Sequence, residues 1–317
     1  MKETEFDIRK ELAKSSLVNS VKLPEHMGFE LKGGDLHLRM TKKGLMLSNM
    51  QDDCAAFEGW AILLKFWLPK FINNVYIHFS PIDVNDEAAK SMHYQRFLYR
   101  LARFVATYSW AKCTSYPVSA YSTAGFVLNT PGNGSGVKKA THKEAQFERE
   151  LVKTKPSNLC ITNHQLPVGV FKDKVEKATQ IMNSGAIDLW GIDKDVLNIY
   201  ELKIDKNKKV GIITELFFYV NIMNDLMKHR INYEMKQYEN IRSFEEIYNA
   251  YKNRSISRIN GVFLTPTLHP LFTGGSKCSL NKASTLLRLL DFINDSERLN
   301  SEHIKFTYQY QKQPEFA

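Results

Sequence analysis

The sequence predicts a mixed α/β (α+β) fold, with a central mixed sheet flanked by helices and an α+β domain before it. Three observations support this prediction. Strand-like and helix-like segments alternate along the second half, which is typical of a sheet covered by helices. The chain has 317 residues, enough for two domains or one large one. Its composition, 43% hydrophobic and 24% charged, is that of a protein with a real core.

The first half is predicted to contain a hairpin, a helix, a strand and a second helix. The hairpin is DLHLRMTKKGLMLS, with its turn at Lys-Lys-Gly. A helix is expected around residues 53–67, followed by the strand NVYIHF. In YQRFLYRLARFVATYSW, apolar residues recur at helical spacing, which predicts a long helix.

Three arginines of that long helix, Arg96, Arg100 and Arg103, recur at i, i+4 and i+7 and therefore share one face. A solvated helix surface would explain this stripe. A ridge that contacts phosphates is the functional alternative. We therefore treat the three arginines as candidate nucleic-acid-binding residues.

A domain boundary is predicted within NTPGNGSGVKKATHK, where Pro, Gly, Asn and Ser crowd together before a basic run. We expect an N-terminal α+β domain over residues 1–130, a linker over 131–140 and a second domain over 141–317. The first domain would serve recognition, regulation or dimerisation.

The second domain is predicted to begin with a helix over about 141–154. Strands near 159–170, 185–192 and 196–204 follow, and then a helix over about 211–229. The remaining elements are the helix NYEMKQYENIRSFEEIYNAYKN, the strand INGVFLTP, the helix NKASTLLRLLDFIND and the strand HIKFTYQYQ.

The composition also bounds the partners and the compartment. A formal net charge of +9 favours polyanionic partners such as nucleic acid. The four cysteines lack metal-binding spacing and are expected to be reduced thiols. The charged N-terminus lacks the apolar run of a signal peptide, and AAFEGWAILLKFWLPKFI is too short and too charged to span a bilayer. We therefore expect a soluble, cytoplasmic protein with no membrane partner.

The segment GAIDLWGIDKDVLNIYELK places ionisable groups in two apolar strands. Glu201 and Lys203 share one face of their strand, because strand side chains alternate between faces. If residues 194–195 form a two-residue turn, Asp188 lies directly opposite Glu201. Two carboxylates so placed repel each other unless a cation lies between them.

The chemistry of these groups suits metal-assisted phosphodiester hydrolysis. Carboxylate oxygens favour Mg²⁺ or Mn²⁺, which keep several waters and accept phosphate oxygens. A neighbouring lysine can orient or deprotonate a water, or stabilise charge on the phosphate. A surface hairpin with a simple cross-strand ion pair is the non-catalytic alternative.

Residues 141–264 resemble the core of the PD-(D/E)XK nuclease superfamily, which has the restriction-endonuclease-like fold. That core runs helix, three antiparallel strands, helix, strand, with an Asp on the second strand and (D/E)-x-K on the third. Asp188 stands at the first position, and Glu201, Leu202 and Lys203 match the second as ELK. The family's proline before the Asp is absent here. The resemblance implies that Asp188 and Glu201 bind the metal, with the backbone carbonyl of Leu202 as a further ligand, and that Lys203 serves the nucleophilic water.

Many members of the superfamily add an acidic residue on the first core helix. HKEAQFERELVK offers Glu144 and Glu148 on one face, and we choose Glu148 as a metal ligand with Glu144 as the second choice. The helix after the motif carries Glu215 and Tyr219 one turn apart, where exonuclease-type branches have a Gln and a Tyr. A core position is the alternative for Tyr219.

Lysines follow the motif in the loop before this helix. Lys206, Lys208 and Lys209 are candidate contacts to the nucleic-acid backbone, and a solvated loop is the alternative.

The sequence thus predicts a divalent-metal-dependent endo- or exonuclease. Its preference for DNA over RNA comes from the habits of the superfamily, and a homodimeric state is left open. One alternative is a nuclease-like fold that binds nucleic acid or a partner without cutting it. The other is an unrelated α/β scaffold in which ELK is accidental.

Overall fold

The structure is a computed structural model that describes residues 3–16, 21–83, 85–129, 143–204, 209–234, 242–274 and 282–312. The α-helices are α1 (Glu3–Ser16), α2 (Lys42–Leu45), α3 (Phe57–Trp67), α4 (Met92–Thr107), α5 (Lys143–Thr154), α6 (Gly211–Met227), α7 (Phe244–Asn253), α8 (Pro270–Thr273), α9 (Lys282–Asn294) and α10 (Glu297–Ser301). The strands are β1 (Met27–Lys32), β2 (Asp35–Met40), β3 (Asn74–His78), β4 (Ala111–Lys112), β5 (Phe126–Leu128), β6 (Asn163–Lys172), β7 (Gln180–Asp193), β8 (Val196–Leu202), β9 (Asn232–Tyr233), β10 (Arg258–Leu264) and β11 (Ile304–Gln309). The predicted mixed α/β fold class is confirmed.

The chain forms two compact units, each made of three stretches of sequence. The first unit comprises Met1–Tyr121, Lys208–Glu215 and Leu268–Asn300. The second comprises Ser122–Asn207, Leu216–Thr267 and Ser301–Ala317. This division differs from the predicted one, because two stretches of the predicted second domain belong to the first unit.

Packing of α9 explains why the stretch around it belongs to the first unit. The ring of Phe292 lies 5.8 Å from that of Phe66 and 6.0 Å from that of Trp110. The hydroxyl of Tyr108 donates to the carbonyl of Ile293 at 2.7 Å. The apolar face of α9 is therefore buried by residues that lie far away in sequence, which a boundary read from Gly, Pro and Ser content cannot reveal.

The first unit contains a four-stranded sheet of order β1-β2-β3-β4. β1 and β2 are antiparallel, and their turn uses Gly33 and Gly34 at φ +61° and +84°, a region that favours glycine. The predicted hairpin at Lys-Lys-Gly is wrong, because that tripeptide begins α2. Thr41 caps this helix by accepting a hydrogen bond from the amide of Gly44 at 3.3 Å.

The second unit contains a seven-stranded sheet of order β11-β10-β8-β7-β6-β5-β9. β6, β7 and β8 form an antiparallel series, whereas β10 runs parallel to β8. The helix, three antiparallel strands, helix and strand expected from the sequence are present as α5, β6, β7, β8, α6 and β10. The predicted helix over 232–253 is shorter: β9 occupies its start and α7 its end, and residues 235–241 lie outside the described residues.

The core of the second unit determines which way the functional side chains face. Phe147 and Leu151 of α5 belong to one buried cluster with Leu189, Tyr200 and Leu202. Because side chains alternate along a strand, the residues next to these in β7 and β8 project from the opposite face.

Across the described residues, every helix falls short of the length and apolar character that a bilayer crossing requires.

Candidate active site

The β7–β8 hairpin brings the two predicted acidic ligands to the same place. The strands pair antiparallel from the residues that flank the turn to Leu189, which lies opposite Tyr200. The turn is the dipeptide 194–195, as predicted. This register places Asp188 opposite Glu201, one step beyond the last pair, so both carboxylates project from one face. The predicted register is confirmed.

The turn itself is attached to the next strand of the sheet. Lys194 has φ +55°, the left-handed conformation that tight hairpin turns use. Asp195 accepts hydrogen bonds from Arg258, at 2.8 Å, and from Ser257. These two bonds lower the pKa of Asp195 to about 2. The turn therefore has a fixed position relative to β10.

Lys203 is the centre of the site. Its ammonium nitrogen lies 2.5 Å from Oε1 of Glu201, 3.7 Å from Oδ2 of Asp188 and 3.8 Å from Oε1 of Glu144. It also donates to the carbonyl oxygen of Leu202 at 2.7 Å. Three carboxylates from α5, β7 and β8 thus converge on one ammonium group at the end of β8.

Burial makes this charge cluster energetically important. The side chains of Glu201 and Lys203 are 1% and 3% exposed, and that of Asp188 is 14% exposed. A buried ion costs several kcal/mol unless a partner compensates it. Lys203 supplies that compensation to Glu201 and Asp188 together, which explains how two apolar strands accommodate ionised groups.

Asp188 is also held by the backbone of the neighbouring strand. The amide of Leu202 donates to Oδ2 of Asp188 at 2.9 Å. This bond holds the carboxylate of Asp188 against β8. The same oxygen, Oδ2, lies 3.7 Å from the ammonium nitrogen of Lys203. The carbonyl oxygen of Leu202, the middle residue of the ELK motif, accepts a hydrogen bond from the ammonium of Lys203.

The donor set fits a hard divalent cation. Glu144, Asp188 and Glu201 offer carboxylate oxygens, and with one ammonium group these four side chains carry a formal charge of −2. Within the described ranges, no group of three or more His, Cys, Asp or Glu side chains has the arrangement of a preformed metal site. Mg²⁺ does not require one, because it is usually held by one or two carboxylates together with waters and substrate phosphates.

Of the two helix glutamates, Glu144 is the one that reaches the site. Glu148, our first choice, is 3% exposed and accepts a hydrogen bond from Nε2 of Gln165 at 2.8 Å. Its Oε2 also lies 3.5 Å from Nδ1 of His164. Glu144, in the first turn of α5, contacts Lys203 instead. The placement therefore favours the second choice over the first.

Gln165 is a residue that the sequence did not single out. It lies between His164, which pairs with Leu189, and Leu166, which pairs with Ile187, and so falls beside Asp188 on β6. Its φ is +53°, an unusual conformation for a residue other than glycine. Glutamine has no marked preference for this conformation, so no sequence signal could have identified the position.

Tyr219 and Glu215 have different neighbours. Tyr219 is buried, and its hydroxyl oxygen stands 2.9 Å from the point where a Cβ on Gly185 would lie. Glu215 accepts a hydrogen bond from Nε2 of Gln51 within the first unit. The core interpretation of Tyr219 agrees with its burial, and its contact explains why β7 has a glycine at this point.

The lysines and arginines predicted to contact nucleic acid differ in their exposure. Lys206 and Lys208 lie outside the described residues, and Lys209 is exposed. The prediction of an exposed arginine ridge is wrong for Arg96 and Arg100, which are 4% and 3% exposed. Arg103 is half-buried, with its guanidinium 5.3 Å from the ring centre of Tyr99.

Hydrogen bonds inside the first unit explain the burial of the first two arginines. Arg96 donates to the carbonyls of Leu47 and Ser48 at 3.1 and 2.6 Å. Arg100 donates through Nε to Glu58 at 2.8 Å and through a terminal nitrogen to the carbonyl of Ala55 at 2.7 Å. These guanidinium groups satisfy internal acceptors and are not placed to contact a phosphate backbone.

Comparison of the chain with protein-family models, with curated proteins and with solved structures gives no match.

Proposed function

We propose that this chain is a divalent-metal-dependent nuclease that hydrolyses phosphodiester bonds in DNA. The observation that carries the proposal is the convergence of Glu144, Asp188 and Glu201 on the ammonium of Lys203. Anionic oxygens to bind a hard cation and one adjacent ammonium are the parts that metal-assisted phosphate-ester hydrolysis needs.

Each side chain has a role in this proposal. Asp188 and Glu201 would hold Mg²⁺ or Mn²⁺, with Glu144 and the carbonyl of Leu202 as further oxygen donors. Such an ion, when bound, would polarise the phosphate and lower the pKa of its water. Lys203 would orient the attacking water and stabilise negative charge on the phosphate oxygens. The amide of Leu202 keeps Asp188 in position.

The reaction is a hydrolysis and needs no co-reactant other than water. The water oxygen forms a bond to phosphorus, and the bond from phosphorus to one ester oxygen breaks. The attacking water loses a proton, and the departing oxygen gains one. Lys203 lies within hydrogen-bonding distance of two oxygens of the site, so it is placed to order a water beside them.

Other observations support a nucleic-acid substrate and a cytoplasmic location. The element order from α5 to β10 agrees with the resemblance to the PD-(D/E)XK superfamily, and the net charge of +9 favours a polyanion. Among the described cysteines, Cys54, Cys113 and Cys160 are free thiols, as proteins in a reducing compartment have. DNA is proposed over RNA because of the resemblance alone.

A cleavage assay tests the proposal. Plasmid, linear and single-stranded DNA and RNA are incubated with the full chain in Mg²⁺, Mn²⁺ or EDTA. We expect cleavage with either metal, loss in EDTA, and loss in Lys203→Ala and Asp188→Ala. Glu150→Gln, on the same helix as Glu144, is the matched control and should cleave like the wild type. Metal-independent cleavage, or full activity in both site variants, would refute the proposal.

A second candidate is a nuclease-like fold that binds nucleic acid or a partner without cutting it. The close ion pair between Lys203 and Glu201 favours it, because this pair compensates the buried carboxylate without any metal. Such a protein would bind DNA with a steep dependence on salt concentration and leave every substrate intact in Mn²⁺.

A further inference from the structure

One face of the four-stranded sheet in the first unit carries polar and aromatic side chains. Along β2 and β3, every second residue is buried, and the residues between them are half-buried or exposed. In register, these outward residues form two rows across the strands. The first row is Glu30, His37, Tyr76 and Lys112, and the second contains Arg39 and His78.

Three rings of this face have nearly the same orientation. The planes of His37 and His78 differ by 20°, with centroids 5.1 Å apart. Nδ1 of His37 lies 2.8 Å from Nε2 of His78. Because a hydrogen bond between ring nitrogens lies in the ring planes, the two imidazoles meet edge to edge and form one wide flat group.

Tyr76 stacks against the rings of these two histidines. Its ring plane is within 15° of both histidines, with centroids 5.2 Å from His37 and 6.1 Å from His78. The hydrogen bond between the histidines restricts their rotation, so less side-chain entropy is lost when a planar ligand packs against the rings. The outward side chains around them are polar, charged or glycine, and offer no aliphatic pocket.

Cationic side chains flank the rings, and Asp35 on the same face accepts a hydrogen bond from the backbone amide of Asn74 at 3.0 Å. Lys32 and Lys112 are exposed at the two outer strands. Arg39 pairs with Glu30 at 2.8 Å, and both side chains are more than a third exposed. Exposed pairs of this kind contribute little to stability, so Arg39 can exchange the carboxylate for a phosphate at low cost. This face of the sheet therefore combines parallel aromatic rings with exposed positively charged side chains.

We propose that this face binds single-stranded DNA. Aromatic side chains on an open sheet stack on unpaired bases, and flanking cations contact the phosphates between them. Duplex DNA keeps its bases stacked inside and cannot use the rings. The inference rests on the proposed function for the choice of DNA, and it assigns recognition of the single strand to the first unit.

Binding measured without metal tests this directly. Fluorescence anisotropy of a labelled oligothymidylate of about 12 nucleotides is recorded with the full chain in EDTA, beside the same length of duplex DNA and of RNA. We expect the single-stranded DNA to bind at least about tenfold tighter than the duplex. Replacing Tyr76 by Leu should weaken binding about tenfold, because the ring is lost, whereas Tyr76→Phe should bind like the wild type.

The charged residues provide a second, independent readout. Lys112→Ala should weaken binding and make the salt dependence shallower by about 0.7 in the logarithmic slope. Lys70→Ala removes an exposed lysine of the same unit outside the sheet, and should change neither quantity. Melting temperatures confirm that each variant is folded. If Tyr76→Leu does not fold, the pair Lys112→Ala and Lys70→Ala decides.

Each outcome separates this inference from the proposed function. Equal affinity for duplex and single strand, tighter binding to RNA, or unchanged binding in Tyr76→Leu would overturn the inference, even if the chain cleaves DNA. Conversely, ring-dependent binding in EDTA together with no cleavage in Mn²⁺ would support the sheet face and reject the nuclease.

Discussion

The backbone amide of Leu202 donates to Oδ2 of Asp188 at 2.9 Å, so β8 holds the Asp188 side chain through its own main chain. This bond needs an acceptor oxygen at residue 188 but not a negative charge. Substitutions of Asp188 can therefore remove the charge and the hydrogen bond one at a time.

Asp188→Asn should abolish activity while preserving the fold. The amide oxygen of Asn can still accept from Leu202, but the neutral group loses the charge that binds a cation. We expect DNA cleavage in Mn²⁺ to fall by about 100-fold or more, with a melting temperature close to that of the wild type. Asp188→Ala also removes the acceptor and should cost an additional 1–3 kcal/mol, roughly, in unfolding free energy. An Asn variant that cleaves normally would show that Asp188 is not a ligand.

Lys203→Met should destabilise the protein in a way that metal corrects. Glu201 is almost completely buried, and removing the ammonium at 2.5 Å leaves its charge without that partner. Breaking a buried pair costs about 3–5 kcal/mol. Differential scanning fluorimetry should show a lower melting temperature in EDTA, and Mn²⁺ should raise it more in the variant than in the wild type. An equal response to Mn²⁺ in both proteins would contradict a cation site at these carboxylates.

The helix glutamates should differ in what they affect. Glu144→Gln should weaken Mn²⁺ binding about tenfold, measured by calorimetry, with little change in melting temperature. Glu148→Gln should lower the melting temperature, because Gln165 and His164 lose a charged partner. Glu150→Gln should change neither property. If Glu148→Gln weakened metal binding more than Glu144→Gln, the assignment made from the contacts of Lys203 would be reversed.

His269 should make the stability of the first unit depend on pH. Burial lowers the pKa of His269 to about 4, from 6.5, and its Nδ1 accepts from the amide of Leu271 at 3.2 Å. Above pH 6.5 both folded and unfolded states are neutral at this residue. As the pH falls from 6.5 towards 4, only the unfolded state binds the proton, so up to about 3 kcal/mol is lost.

The variant His269→Asn isolates this effect. Asn is a good helix cap and does not titrate. We expect the wild type to lose more thermal stability than the variant between neutral and acidic pH, measured by circular dichroism. Carboxylates that titrate elsewhere affect both proteins equally and cancel in the difference. Parallel pH profiles would mean that His269 binds its proton equally well in the folded and unfolded states, which contradicts the lowered pKa.

Arg100 should behave as a structural residue. It pairs with Glu58, which is fully buried, so Arg100→Met should cost about 3–5 kcal/mol in unfolding free energy. Arg103→Ala should cost less than about 1 kcal/mol, because its contact with Tyr99 is a partly solvated cation–π interaction. Chemical denaturation measures both. An Arg100 variant of wild-type stability would be incompatible with the buried pair.

The register of the β7–β8 hairpin was predictable from local sequence. A two-residue turn leaves only one way to pair the flanking strands, so the numbers of opposed residues are fixed by Lys194 and Asp195. The same reasoning places Lys203 on the face of Glu201. The choice between Glu144 and Glu148 was not predictable, because it depends on which turn of α5 packs near Lys203.

The burial of Arg96 and Arg100 could not be predicted from the local sequence pattern. Helical spacing shows that Arg96 and Arg100 share a face, but it does not show what covers that face. The covering groups are Glu58 and carbonyls more than forty residues earlier in the chain. A long-range partner of this kind leaves no signal in the periodicity of the helix itself.

The interleaving of the two units has a practical consequence for anyone who wishes to study them apart. The helix α6 starts in one unit and finishes in the other, and the chain later crosses between them twice more. A truncation placed at the glycine-rich segment would deprive the N-terminal fragment of its α9, whose Phe292 packs on Phe66 and Trp110. Dissection into separately expressed halves should therefore yield insoluble protein, and point variants in the intact polypeptide are the appropriate tools.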